Sequence, residues 1–161
     1  MPPTNAYSPQ PSVPTSGRLA ALSTDPAPLF VYGSLLFDDV VRILIDRDPH
    51  RTPATVHGWR AAALPGRVYP ALIAEPEATA SGHLLDDLTA EEWQTLDTFE
   101  ADFYTLARIT FANGKNAWTY AAEDPATVEP VTWDPEIFAR QQLSAYLTNC
   151  TAWRQHHDAR R

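Results

Sequence analysis

Two short stretches of this chain hold residue types that can do chemistry. The first is "LDTFEADFY", residues 96–104, with Glu100 near its centre. Glu100 lies four residues after Leu96 and seven after Trp93, so on one continuous helix the three share a face. A carboxylate on an apolar face is costly unless it is paired or poised to move a proton. Burial raises its pKa toward the range where a carboxyl works as general acid or base near neutrality. The spacing equally fits a helix that stops at Phe99 and leaves Glu100 in a loop. The second stretch is "LFVYGSLLFDD", residues 29–39. An apolar strand-like run ends in Tyr32-Gly33-Ser34-Leu35, and a helical pattern follows. Glycine at a strand-to-helix junction lets backbone approach a ligand, and successive N–H groups there can hold a carboxylate. The same four residues also suit a plain turn in which Ser34 bonds locally. They are neither a phosphate-binding loop, which needs a second glycine and a lysine, nor a dinucleotide fingerprint.

Other polar residues have weaker claims. Ser34 has no histidine–acid relay that would make it a hydrolase nucleophile. His57 and His83 stand alone in strand-like segments, His156-His157 lie in a polar C-terminal stretch, and Asp86-Asp87 read as a solvated turn.

The elements that must position Glu100 and the Tyr32–Leu35 stretch read as follows. Leu29–Val31 is a strand. Asp38 caps a helix with Val40, Val41, Leu44 and Ile45 on its apolar face, ended by Pro49. Thr52–Leu64 is strand-like with an interruption at Gly58. Val68–Ala74 and Ala80–Leu85 are two further strands, with Pro70 at an edge or bulge. Thr89 and Glu92 have capping-box spacing ahead of Trp93 and Leu96. Asn113-Gly114 joins two strands, 106–111 and 117–121, as a hairpin. Asp134-Pro135 starts a last helix carrying Leu143, Tyr146, Leu147 and Cys150. Short strands with irregularly inserted helices predict an α+β domain whose mostly antiparallel sheet can close into a barrel.

The 161 residues suffice for one domain with a real core. Residues 1–27, rich in proline, serine and threonine, read as a tail that is disordered or draped over the domain, and 28–161 as the folded domain. Removing residues 1–25 is therefore expected to change stability and activity little. The net charge of −8 with no basic cluster argues against nucleic-acid binding. A single cysteine, Cys150, excludes an intrachain disulfide and a cysteine-based zinc site. No apolar run is long enough to span a bilayer or to form a signal peptide core, so a cytoplasmic protein is expected.

Taken in order, "FVYGSL" at 30–35, "GRVYPALI" at 66–73, "GHLLDDLTAEE" at 82–92, "LDTFEADFY" at 96–104 and "WTY" at 118–120 resemble the gamma-glutamylcyclotransferase-like superfamily. The similarity is greatest to its plant avirulence-induced-gene branch and runs from about Leu29 to Tyr146. The resemblance implies a small mixed β-barrel with flanking helices. It implies a cofactor- and metal-independent enzyme that cleaves a small γ-glutamyl amide: the substrate's own α-amine attacks its γ-carbonyl, 5-oxoproline forms and an amine leaves. It assigns Glu100 as acid/base and Tyr32, Gly33, Ser34 and Leu35 as the loop that binds the glutamyl end. Arg67, Tyr69, Tyr104 and Tyr120, in the other matching stretches, are further candidates for the substrate pocket. The amine half is left open among an amino acid, a lysine side chain, glutathione and a natural-product amine. Two positions depart from the family pattern: Ala101 stands where glycine is frequent, and Leu106 where arginine is frequent, with Arg108 two residues on. The rival expectation is a non-enzymatic member that kept the fold for binding a ligand or a protein.

Overall fold

The computed structural model describes residues 17–160. Five strands form one sheet: β1 (Leu29–Val31), β2 (Arg51–Ala63), β3 (Pro70–Leu85), β4 (Tyr104–Thr110) and β5 (Asn116–Ala122). Their order is β2-β3-β1-β5-β4, and only the contacts of β5 with β1 and β3 are parallel. β3 runs antiparallel to β1 through His83–Leu85, yet its start meets β5 directly at Leu72–Ala121. The strand therefore curls, and the sheet folds back on itself into a small, partly closed barrel. The bend falls where the β2–β3 register breaks between His57 and Trp59. Pro76 sits in that break, where its missing N–H leaves no ladder bond unmade. The two strands expected at 68–74 and 80–85 are thus one bulged strand.

Side-chain alternation along β1 divides the interior in two. Leu29 and Val31 join the core between sheet and helices, and Phe30 and Tyr32 join the barrel core with Val56, Leu72, Ile109 and Phe111. The helices are α1 (Asp38–Ile45), α2 (Ala90–Phe99), α3 (Pro135–Gln141) and α4 (Leu143–Ala159). Asp38 is the first residue of α1 rather than its cap; its carboxylate pairs with Arg51 at 2.9 Å. α1 ends at left-handed Asp46, ahead of Pro49, and Arg154 of α4 covers its last carbonyls, those of Ile43 and Leu44. α2 opens with the expected capping box of Thr89 and Glu92. The final helical region breaks at Gln142, where no glycine or proline signals it, and Phe138 packs there among Phe37, Trp133 and Tyr146.

The boundary expected at residue 27 needs correction. Gly17–Ser23 is a 3-10 helix whose Leu19 and Leu22 are only 3% and 2% exposed in the main core. Asp25 accepts from the Trp118 indole N–H at 2.9 Å and pairs with Arg108. Proline-rich composition averaged over 27 residues hid a short apolar run with leucines three apart. The rest of the expected tail lies outside the described residues. Deleting residues 1–25 is now expected to lower the melting temperature. Two buried leucines contribute about 1.5–3 kcal/mol each, and 1 kcal/mol moves a domain of this size by roughly 2–4 °C. Differential scanning calorimetry on the truncated chain checks this, and an unchanged melt contradicts it.

Candidate active site

A cavity of about 290 Å³ opens at the C-terminal end of β1, close to the small end of the range for small-molecule sites. Val31 to Leu35 form one wall. Tyr69 and Pro70 lie at the start of β3, and Tyr104 and Tyr120 come from β4 and β5. The end of α2 brings Phe99, Glu100 and Ala101, and α4 closes the space with Tyr146, Asn149, Cys150 and Trp153.

The Tyr32–Leu35 wall is a fixed structure. The Tyr32 hydroxyl donates to the carbonyl of Tyr120 and accepts from the N–H of Leu72 at 3.0 Å, tying β1 to β5 and β3. Gly33 packs on the ring of Pro70: a Cβ there would lie 2.9 Å from Pro70 Cδ. Its φ of −120° lies outside the left-handed region, so close approach is what requires glycine here. Ser34–Leu36 then make one 3-10 turn. The N–H groups of Ser34 and Leu35, as the first of that turn, have no acceptor within it. The carbonyls of Leu35 and Leu36 accept from Arg51, and Ser34 Oγ accepts from the Tyr146 hydroxyl at 3.0 Å. His83 also meets Arg51, at 3.1 Å, which gives it a structural place beneath the loop.

Glu100 is the C-cap of α2. Its N–H still reaches the carbonyl of Leu96 at 3.0 Å, while its backbone has already turned extended. The helix therefore stops at Phe99, and the carboxyl nonetheless lines the cavity. Among the described residues no donor contacts that carboxyl. Burial pushes its pKa up to about 7; Arg18 nearby pulls it down, and Asp97 pushes it up. Four of the five cavity tyrosines have hydroxyls committed as donors elsewhere, and the fifth, Tyr69, accepts from Arg67. Tyr104 donates to the carbonyl of Pro70 at 2.5 Å, Tyr120 to Asp97 at 2.6 Å, and Tyr32 and Tyr146 as described. Burial holds all four phenols protonated. The Cys150 thiol, pushed up to about 12 by burial, is no nucleophile near neutrality. Of these groups, Glu100 is the one that can exchange its proton near pH 7.

The cavity thus brings together Tyr32, Gly33, Ser34, Leu35, Tyr69, Glu100, Tyr104 and Tyr120. It does not include Arg67. That residue is exposed in the turn before β3, where it donates to the Tyr69 hydroxyl at 2.9 Å and lies over the Phe103 ring. Tyr32 lines the wall but has no hydroxyl to spare. Leu106, where arginine is frequent, pairs across the sheet with Tyr120. Tyr146, Asn149 and Trp153 were not singled out as site residues. Tyr146, Cys150 and Trp153 recur at one-turn spacing on α4, a signal of a buried face that does not say what the face meets.

The architecture defines a class first. A solution structure of an Arabidopsis thaliana protein shares this fold with a TM-score of 0.56 and 25% identity, covering 76% of this chain and 87% of that one. A solved gamma-glutamyl cyclotransferase shares the fold at a TM-score of 0.51 and 13% identity, covering 64% of this chain and 68% of that one. The family described as "Gamma-glutamyl cyclotransferase, AIG2-like" matches residues 29–138, and the chain belongs to it. AIG2-like protein D of Arabidopsis thaliana is 44% identical over 127 residues, 74% of this chain and 83% of that protein. AIG2-like protein C of the same plant is 29% identical over 132 residues, 80% of this chain and 69% of that protein. Among the described residues no helix is long and apolar enough to cross a membrane.

Proposed function

We propose that this chain is a γ-glutamyl cyclotransferase that releases 5-oxoproline and a free amine from a small γ-glutamyl amide, with Glu100 moving the proton. The observation that carries this reading is a cavity carboxyl that no donor among the described residues contacts, its pKa raised to about 7, beside four tyrosine hydroxyls already committed as donors elsewhere. Ionised Glu100 takes a proton from the substrate's α-ammonium. The freed nitrogen attacks the γ-carbonyl carbon, a C–N bond forms and the five-membered ring closes. Glu100 returns the proton to the departing nitrogen as the old amide bond breaks, and no water is consumed. Because attack is intramolecular, the cavity need only hold the chain folded, an effect worth up to about 7–11 kcal/mol in well-oriented cases. The N–H groups of Ser34 and Leu35 suit the substrate carboxylate or the developing oxyanion. The test is incubation with a panel of γ-glutamyl amino acids, γ-glutamyl-lysine, glutathione and γ-glutamyl amines, with mass-spectrometric detection of 5-oxoproline. Binding of these compounds without product would favour a non-enzymatic member of the family.

The loop supplies a separate expectation. In Gly33→Val the added atoms meet the Pro70 ring, whose carbonyl is itself held by Tyr104. The loop must move, and a few tenths of an ångström suffice to spoil aligned N–H donors. Binding of a γ-glutamyl ligand should weaken at least about tenfold by isothermal titration, the loss of one charged hydrogen bond, while circular dichroism stays native. Normal binding by a folded variant would reduce the loop to a turn.

A further inference from the structure

Arg18 lies upstream of residues 29–138, the stretch matched by the family, yet its guanidinium sits behind the residue that matters most to the cavity. Nη1 donates to the carbonyls of Ala101 at 2.8 Å and Tyr104 at 3.1 Å. Nη2 donates to those of Asp97 at 2.7 Å and Glu100 at 3.2 Å. Nε meets Asp97 Oδ1 at 3.0 Å. A guanidinium has five N–H donors; here the four on Nη1 and Nη2 meet four backbone carbonyls, and the Asp97 carboxylate pairs with the charge beside Nε. The segment from Asp97 to Tyr104 is wrapped around one cation, and four carbonyls with a carboxylate would repel one another without it. Asp97 Oδ1 also accepts from the Tyr120 hydroxyl, and the Arg18 guanidinium covers the Tyr120 ring at 5.2 Å. One side chain thereby fixes the helix end that carries Glu100 and the tyrosine beside it.

We infer that Arg18 is a positioning residue of this active site, so that the N-terminal segment is a working part of the Glu100 machinery rather than an appendage to it. The inference rests on the reading of Glu100 as the proton carrier. Its consequences are geometric and electrostatic. Loss of Arg18 frees the 97–104 segment to relax, which misplaces the carboxyl. It also removes the cation that, among the described residues, acts on Glu100, and leaves the Asp97 charge uncompensated beside it. The other titratable groups facing the carboxyl, Tyr32, Tyr104, Tyr120 and Tyr146, remain neutral throughout.

The experiment follows the Glu100 carboxyl carbon by NMR in [13C]glutamate-labelled protein, its resonance identified by its disappearance in Glu100→Gln. In Arg18→Met the titration midpoint is expected to rise by roughly half a pH unit or more, because a cation has gone and an anion stays. At pH 7, kcat should fall at least about tenfold with KM changed much less, the pattern of lost transition-state alignment. Arg18→Lys retains the charge without the fork, so its midpoint should stay near that of the wild type while kcat falls roughly fivefold. A structural contribution alone would lower activity with the folded fraction and leave the midpoint in place. A folded Arg18→Met with wild-type midpoint and kcat overturns the proposal. If Arg18→Met does not fold, an Arg18→Lys protein with wild-type kcat does so instead. The midpoint needs no turnover, so a wild-type protein inactive on every γ-glutamyl compound would fail the proposed reaction while the midpoint still decides the role of Arg18.

Discussion

Glu100→Gln is expected to lose 5-oxoproline formation and to gain stability at alkaline pH. Glutamine has nearly the shape of glutamate but neither accepts nor returns a proton. General acid–base catalysis contributes typically about 10²–10⁴-fold, so the rate should fall at least a hundredfold. The stability change has the opposite sign. Burial raises the Glu100 pKa from an ordinary 4.5 to about 7. Between these values the folded state binds more protons than the unfolded chain, so stability falls as pH rises through the window. The contribution of the protonated carboxyl is fully present below 4.5 and gone above about 7. A shift of this size corresponds to about 3 kcal/mol. Glutamine has no such slope. The variant should therefore melt several degrees above the wild type at pH 8, with a smaller difference at pH 5. For the wild type, kcat/KM should rise with pH through an ionisation near 7, as a general base requires. Melting curves at the two pH values and a pH–rate profile check all of this. Retention of more than a few per cent of the wild-type rate by Glu100→Gln removes the acid/base assignment.

That prediction was half legible in the sequence. Its 3.6-residue spacing put Glu100 on the face of Trp93 and Leu96, and local spacing is what one sequence records best. The helix in fact ends one residue earlier, but a C-cap still lies over the last turn, so the carboxyl reaches the same cavity either way. The capping box of α2 and the Asn113-Gly114 hairpin were equally local. What was not legible depends on distance along the chain. Arg18 meets carbonyls some eighty residues away, and nothing in its own neighbourhood announces them. The α4 wall is similar: the periodicity of Tyr146, Cys150 and Trp153 says that a face is buried, and only the fold says that it closes over Ser34 and Phe99. Composition misled in one place. A proline-rich average concealed Leu19 and Leu22, and with them the connection between the N-terminal segment and Glu100. The Gln142 break was silent because no glycine or proline marks it; Phe138 packs there among residues distant in sequence, Phe37 above all.

The largest loss of stability from a single added carbon is expected at Gly82, a residue with no chemistry of its own. It lies in β3 opposite Ala54 of β2, one residue before His83, which pairs with Val31 of β1. A Cβ at Gly82 would stand 2.0 Å from the Val31 carbonyl oxygen and 3.0 Å from the Phe30 ring. No rotamer relieves a clash with backbone. β1 must then move away from β3, and β1 is only three residues long, with partners on both sides. Its side chains Leu29, Phe30 and Val31 are all buried, so displacement loosens both cores at once. Overpacking costs typically about 1–3 kcal/mol, and a backbone clash in a central strand belongs at or above that limit. Native domains have only about 5–15 kcal/mol in hand, so Gly82→Ala should give a melting temperature lower by roughly ten degrees or more, or no soluble protein. Activity should suffer out of proportion to unfolding, because the Tyr32–Leu35 loop starts where Val31 ends and the Tyr32 hydroxyl is aimed from that strand at Tyr120 and Leu72. Urea denaturation of Gly82→Ala beside Gly33→Val separates the two glycines. The first should shift the unfolding midpoint strongly, and the second should shift ligand binding with much less change in the midpoint. A Gly82→Ala protein as stable as the wild type would mean that β1 does not sit against β3 at the observed distance, and with it the whole placement of the loop over the cavity would fail.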